Sequence, residues 1–138
     1  MAFVTTHTVR FAEIDAAGIA FFSRIYEWSH YAYEQALASV GLPLMELLES
    51  SEVIMPMVHS EADYKSPCRL GEELTIDVVI ESSTKRSVTW RFTFKGPDGG
   101  LKGVVRLVSV PVSRSFKPVK GLPDGWVELF EGAGLYEK

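Results

Sequence analysis

Cysteine is almost missing from this chain of 138 residues, in which Cys68 is the single one. One cysteine can form neither an intramolecular disulfide nor a zinc site made of thiolates, so a reducing compartment is favoured. The N-terminus lacks the charged and apolar segments of a signal peptide, and no apolar run approaches the roughly 18 residues of a membrane span. We therefore expect a cytoplasmic protein that has no membrane partner.

The common sequence motifs of catalysis are missing as well. The chain contains no G-x-S-x-G, no P-loop, no G-x-G-x-x-G, no H-E-x-x-H and no C-x-x-C. His30 and Glu34 lie four residues apart in a helical pattern, a spacing that can bind a metal, but no clear third ligand is nearby. We expect no metal and no cofactor, and an exposed or interface-facing position for this pair.

The hydrophobic periodicity predicts a single α+β domain over residues 1–138. Apolar residues recur at helical spacing from Ser23 to Val40, and Gly41 and Pro43 then form a stop signal. A short second helix is predicted for residues 43–50. Alternating patterns typical of half-buried strands cover residues 3–11, 53–64, 73–82, 87–95 and 101–112. Five antiparallel strands with one buried face must be covered by the long helix, and residues 113–138 are expected to form a loop and a short helix at the sheet edge.

Charge is unevenly distributed along the chain. The net charge is −4, yet residues 85–120 contain nine basic side chains and one acidic one, so this segment carries +8 and the rest −12. The negative total argues against a nucleic-acid partner, while the basic segment is typical of a site for a small anionic ligand. The alternative is that the basic side chains simply face water on alternate strand positions.

A carboxylate lies in a segment of small and apolar residues just before the long helix. Asp15 is followed by Ala16, Ala17 and Gly18, which would let a substrate approach the backbone closely. The free amides at the helix start would polarise a substrate carbonyl, and the carboxylate beside it would attack the carbonyl or activate water. Alternatively, Asp15 is only a turn residue or a distant helix cap.

These residues resemble the signature of the 4-hydroxybenzoyl-CoA thioesterase family. Its members are acyl-CoA thioesterases with the hot-dog fold. The first matching block comprises Val9, Arg10, Phe11, Asp15, Ala17, Gly18, Ile19, Phe21 and Phe22, followed by Tyr26 and Trp28. A second block, residues 56–64 with Pro67 and Gly71, is similar to the branch of 1,4-dihydroxy-2-naphthoyl-CoA hydrolases. The resemblance implies a five-stranded sheet wrapped around one long central helix.

The resemblance also implies the roles of individual residues. Asp15 matches the catalytic carboxylate, as nucleophile or as general base. The segment from Gly18 to Phe22 matches the part of the chain whose amide polarises the thioester carbonyl. Lys85 and Arg86 fall where the family places basic residues for the phosphates of coenzyme A, which is part of the substrate rather than a cofactor.

The resemblance further implies an assembly of two or four identical subunits, with sites between them. His59 and Glu61 would reach the acyl pocket across such an interface to orient water or bind a ring hydroxyl, unless they form a buried hydrogen-bonded pair. Phe22 stands where the hydroxybenzoyl branch has a tyrosine, so dihydroxynaphthoyl-CoA is the first expected substrate and hydroxybenzoyl-CoA or another aryl-CoA the second. A non-catalytic acyl-CoA-binding module and a hot-dog hydratase or dehydratase remain the alternatives.

Overall fold

A computed structural model describes residues 3–137 of the chain, so residues 1, 2 and 138 of the predicted domain lie outside the described part. The helices are α1 (Arg24–Ser39), α2 (Leu44–Ser50) and α3 (Trp126–Gly132). The strands are β1 (Phe3–Thr8), β2 (Val53–Ile54), β3 (Met57–Tyr64), β4 (Glu73–Thr84), β5 (Ser87–Lys95), β6 (Leu101–Ser109) and β7 (Val112–Ser113). No helix within residues 3–137 has the length and apolar character needed to cross a membrane.

Five strands form one antiparallel sheet in the order β1-β4-β5-β6-β3, and α1 covers one of its faces. The helix buries the face that its periodicity predicts, including Ile25, Trp28, Ala32 and Leu37. The inward side chains of β5 are fully buried in the same core. Trp90, Phe92 and Phe94 therefore belong to the core, and the α+β architecture predicted from the sequence is confirmed.

The first strand is shorter than the alternating pattern predicts. It ends at Thr8, and a 3₁₀ turn follows at Phe11–Glu13, so that Phe11 is 79% exposed although it alternates in phase with the buried Val9. The turn forms because the Arg10 amide donates to the Glu13 carboxylate at 2.8 Å. A carboxylate three residues downstream gives the backbone an alternative to the sheet, and this contact ends the strand.

Two other predicted strands are broken, in each case near a proline. Met55 and Pro56 separate β2 from β3, and Val110 and Pro111 separate β6 from β7. The two short pieces leave the main sheet and pair with each other as β2 and β7. A proline cannot donate a ladder hydrogen bond, so the chain changes partner at both positions.

The C-terminal segment extends the sheet at its β1 edge. The Ile80 amide donates to the Leu135 carbonyl at 2.7 Å, and the Glu137 amide donates to the Ile80 carbonyl at 2.9 Å. The preceding helix α3 buries Phe130 edge-on against Trp90, with the ring centroids 5.7 Å apart. The tail is therefore part of the packed domain, and β3 is left as the opposite edge of the sheet.

Candidate active site

A groove of about 510 Å³ lies at the N-terminal end of α1. It is lined by residues 19–22 and 64–68, together with Asp15, Ile25 and Lys102. Asp15 and Phe22, two of the residues predicted from the sequence, thus share one cavity. Gly18 lies at the turn beside it but does not line it, and its positive φ of 81° is readily adopted by glycine because it has no Cβ.

Asp15 is held at the tip of a small hairpin formed by residues 13–21. The Phe21 amide donates to the Glu13 carbonyl and the Asp15 amide donates to the Ile19 carbonyl, both at 2.9 Å. One carboxylate oxygen, Oδ1, accepts from the Ala17 amide at 2.8 Å. The other has no hydrogen-bond partner within residues 3–137, so Asp15 offers a free oxygen at the exposed rim of the groove.

The base of this hairpin is anchored by the carboxylate of Glu13. Its Oε1 accepts from the Arg10 amide at 2.8 Å and contacts His7 Nε2 at 2.9 Å, while its Oε2 accepts from Trp28 Nε1 at 2.7 Å. Burial alone raises the pKa of Glu13, but the hydrogen bonds from Trp28, His7 and Arg10 lower this pKa below its ordinary value of 4.5. One side chain thereby ties the hairpin of Asp15 to β1 and to α1.

The start of α1 offers backbone N–H groups that the described chain does not use. Within residues 3–137, neither the Phe22 amide nor the Ser23 amide has a hydrogen-bond acceptor. The helix begins after Ser23 as predicted, but the serine side chain forms no capping hydrogen bond. Uncapped N–H groups and the positive end of the helix dipole favour negative charge at this position. A carbonyl oxygen that becomes anionic during acyl transfer is such a charge.

Gly103 of β6 allows the helix to lie close to the sheet at this end. A Cβ at this position would come within 2.9 Å of the Asp63 carbonyl oxygen and 3.0 Å of Ile25 Cδ1. Any side chain here would clash with the β3 backbone at Asp63 and displace the side chain of Ile25, which lines the groove. The sequence pattern alone does not reveal this contact.

His59 and Glu61 lie away from the groove within one chain. They pair with Val108 and Arg106 of β6, on the sheet face opposite to α1. Their side chains contact each other at 3.3 Å, and both are more than half exposed, so the pair is not buried. Their role toward a site of a second subunit stays a prediction.

The pair of His30 and Glu34 is exposed on α1. Across residues 3–137, no group of three or more His, Cys, Asp or Glu side chains is placed so that it could hold a metal ion.

Acidic residues from elsewhere in the fold neutralise four of the nine basic side chains of residues 85–120. Four of its side chains form ion pairs with such residues: Arg91, Lys95, Lys102 and Arg106. Arg114 instead donates to the carbonyls of Leu48 and Ser51 at the C-terminal end of α2. In the part of this segment that the structure describes, the basic side chains with neither an ion pair nor a hydrogen bond are those of Lys85, Arg86, Lys117 and Lys120.

Lys85 and Arg86 form the turn between β4 and β5. Lys85 and Lys120 line a small hollow of about 260 Å³ there. The groove of Asp15 lies at the opposite end of these strands, beside Lys102 and the start of β4. Because β4 has twelve residues and a strand rises about 3.3 Å per residue, the two ends are roughly 36 Å apart along the strand. One chain therefore does not bring these two predicted features together.

Three residues of this region were not found from the sequence. Glu13 looks like an ordinary loop residue, Tyr64 looks like the end of an exposed strand, and Lys102 is one of nine basic residues in its segment. In the structure, Lys102 Nζ donates to the Pro67 carbonyl at 2.9 Å and contacts Glu72 at 3.3 Å, which fixes the wall of the groove. Apart from the Arg10 amide, which lies three residues before Glu13, their partners come from other elements, so no spacing rule pairs them.

Comparison with known proteins supports one family. Residues 9–124 match the model described as the thioesterase-like superfamily. A protein of Prochlorococcus marinus, strain SARG, named 1,4-dihydroxy-2-naphthoyl-CoA hydrolase, is 35% identical over 135 residues, covering 93% of this chain and 86% of its own. A protein of the same name from Rippkaea orientalis is 29% identical over 133 residues, covering 93% and 96%.

A solved structure shows the same fold. The crystal structure of a 1,4-dihydroxy-2-naphthoyl-CoA thioesterase from Synechocystis superposes with a TM-score of 0.86 at 22% identity, covering 94% of this chain and 96% of the other. The expected hot-dog fold is thus confirmed.

Proposed function

Since this chain belongs to the thioesterase-like superfamily, we propose that it hydrolyses the thioester of an aromatic acyl-CoA to the free acid and coenzyme A. The observation that carries the proposal is the position of Asp15, whose free carboxylate oxygen lies at the rim of the groove that begins at the uncapped end of α1. Acyl transfer requires a group that takes up a proton or attacks the carbonyl carbon. It also requires donors that stabilise the oxyanion.

Two routes of hydrolysis use this geometry. As a general base, Asp15 takes a proton from water while the water oxygen attacks the carbonyl carbon; the C–S bond then breaks, and the thiolate takes up the proton. As a nucleophile, the carboxylate attacks the same carbon and expels the thiolate, and water then hydrolyses the mixed anhydride. In both routes the carbonyl oxygen becomes anionic beside the start of α1, where one donor is worth about 3–4 kcal/mol to the transition state.

The groove suits an aromatic acyl group. Its lining is largely apolar and includes the rings of Phe21 and Phe22, whose centroids are 4.8 Å apart. Flat apolar rings stack on or against such side chains. With the names of the two relatives, this makes 1,4-dihydroxy-2-naphthoyl-CoA the first substrate to test and hydroxybenzoyl-CoA the second.

The proposed working form is an assembly of two or four copies in which β3 edges pair. This edge has no neighbour within residues 3–137 and exposes Val58 and Tyr64. An apolar hollow of about 320 Å³, lined in part by residues 53–56 and Phe116, lies at the other end of β3 from the groove. Two β3 strands that pair antiparallel about a two-fold axis would bring the groove of one copy toward the hollow of the other.

The first test is the release of free thiol from a panel of aryl-CoA and alkyl-CoA thioesters by the purified protein. We expect turnover of the aryl thioesters, with 1,4-dihydroxy-2-naphthoyl-CoA the best of them. Binding of these thioesters without thiol release would instead support a non-catalytic module, and loss of an enoyl-CoA absorbance would support a hydratase.

The second test concerns Lys85 and Arg86, which we assign to the phosphates of coenzyme A in a site whose Asp15 belongs to another copy. Replacing both by Ala is expected to raise KM about tenfold at low salt and to leave kcat within twofold, because these charges attract the substrate without touching the thioester. Lys95→Ala is the matched control, since that lysine pairs with Asp77 on the sheet. An unchanged KM in the double variant would contradict the assignment.

Mixed assemblies test whether the two features come from different copies. A dimer of one Asp15→Asn copy and one Lys85→Ala/Arg86→Ala copy would contain one site with both features intact if they act across the interface. At low substrate concentration its activity should then exceed that of either parent. If both features act within one copy, every site of the mixed dimer is damaged and no gain appears.

A further inference from the structure

The hydroxyl of Tyr64 makes a single long-range contact to the start of α1. It donates to the Phe22 carbonyl oxygen at 2.6 Å, joining residues that are 42 positions apart in the chain. Both residues line the groove and both side chains are more than half exposed. The contact therefore adds little buried area, and its effect is on the backbone of Phe22, whose carbonyl it binds.

The Phe22 carbonyl has no other donor among residues 3–137. The first backbone hydrogen bonds of the helix go to the carbonyls on either side of it. The Arg24 amide donates to the Phe21 carbonyl at 2.9 Å, and the Tyr26 amide donates to the Ser23 carbonyl at 3.1 Å. The peptide group between Phe22 and Ser23 is thus fixed on its carbonyl side by Tyr64 alone. On its amide side it carries the Ser23 N–H, which has no acceptor in the described chain.

A hydrogen bond to a peptide carbonyl does two things to the N–H of the same peptide group. It fixes the plane of the group and hence the direction of the N–H, and it polarises the group so that the N–H donates more strongly. The preceding peptide is arranged in the same way, since the Phe21 carbonyl accepts from Arg24 and the Phe22 N–H is free. The start of α1 therefore presents two adjacent, polarised donors at the groove.

We infer that Tyr64 is a positioning residue for this thioesterase site: its hydroxyl holds and polarises the Phe22–Ser23 peptide so that the amides at the start of α1 stabilise the oxyanion. The inference rests on the proposed function and adds to it a residue that acts through the backbone rather than by contact with the reacting atoms. It also explains why a tyrosine ends β3 at the groove, where a polar tip and an apolar body are both used.

Tyr64→Phe tests the inference, because it removes the hydroxyl and keeps the ring. We expect kcat for an aryl-CoA to fall about tenfold, with KM and the affinity for free coenzyme A unchanged within twofold. The unfolding midpoint should stay the same, since Tyr64 is more than half exposed and the variant keeps its ring. Tyr31→Phe is the matched control, because Tyr31 is an exposed tyrosine on α1 that does not line the groove.

A spectroscopic measurement separates positioning from a general structural effect. In Tyr64→Phe the backbone amide proton of Ser23 should shift upfield, while amides in the second half of α1 keep their positions. An unchanged kcat in Tyr64→Phe, or a rise of KM alone, would overturn the inference while thiol release by the wild type still supported the function. Absence of thiol release by the wild type would instead overturn the proposed function.

Discussion

Asp15→Asn should lower kcat by on the order of a thousandfold and leave the fold unchanged. The loss corresponds to about 4 kcal/mol of transition-state stabilisation. It follows from the loss of a group that either takes the proton of the attacking water or forms the bond to the acyl carbon. The amide oxygen of Asn can still accept from the Ala17 N–H, so the turn at the tip of the hairpin is kept. Thiol release under saturating substrate measures the effect.

The chain contains a matched control for this variant. Asp98 accepts from the Gly100 amide at 2.9 Å, the same two-residue contact that Asp15 makes with Ala17, but in the turn between β5 and β6. Asp98→Asn should therefore retain full activity, and both variants should unfold at the temperature of the wild type. If Asp15→Asn kept more than a tenth of the wild-type kcat, Asp15 would have no chemical role.

The main elements of the fold follow from local pattern, because each has one buried face. The hydrophobic patterns of α1, β4 and β5 are long and regular, and their apolar residues are buried as the patterns predict. The errors occur where a side chain or a proline competes with the ladder. At the end of β1 the Glu13 carboxylate captures the Arg10 amide, and at Pro56 the chain leaves the main sheet for β7. Hydrophobic alternation reveals neither contact, because the first is a polar contact over three residues and the second needs a partner strand far along the chain.

The candidate site was predictable only in part for a similar reason. The carboxylate and the helix start are neighbours in sequence, so the spacing from Asp15 to Phe22 places them in one groove. The charge count of the basic segment overstates its free charge, because acidic partners on other strands neutralise Arg91 and Arg106, and the role of Lys85 and Arg86 stays a prediction. A residue whose partner is distant in the chain, such as Tyr64 with Phe22, cannot be identified from sequence spacing.

Replacing Glu13 by Gln is expected to destabilise the protein by about 2 kcal/mol at neutral pH and to lower kcat about tenfold. The carboxylate accepts hydrogen bonds on both oxygens, and its side chain is only 12% exposed. An amide offers one oxygen, so either Trp28 Nε1 or the Arg10 N–H would face an NH₂ group and lose its partner. Because Glu13 anchors the hairpin of Asp15, the loosened hairpin would also misplace the carboxylate of Asp15.

Glu27→Gln provides the contrast for this stability effect. Glu27 pairs with Arg24 at 3.1 Å, and its side chain is more than half exposed. An exposed ion pair of this kind contributes little, so the variant should lose less than about 0.5 kcal/mol. Chemical denaturation of the three proteins gives the comparison. Equal losses in the two variants would show that Glu13 is not a structural anchor.

The pH dependence gives a second, independent check on Glu13. Its pKa is lower in the folded protein than the ordinary value of 4.5, so its ionised form stabilises the fold at pH values above that ordinary value. This stabilisation is lost as the pH falls through the lowered pKa, because the proton then binds the folded and the unfolded chain alike. The difference in free energy of unfolding between wild type and Glu13→Gln should thus be largest at neutral pH and shrink below about pH 4.5. Glu81, whose pKa is also lowered by Arg106 and Arg91, is present in both proteins, so its contribution cancels in the difference. If this difference in free energy of unfolding stayed constant down to pH 3, the charge of Glu13 would not hold the hairpin. The packing of its side chain alone would then do so.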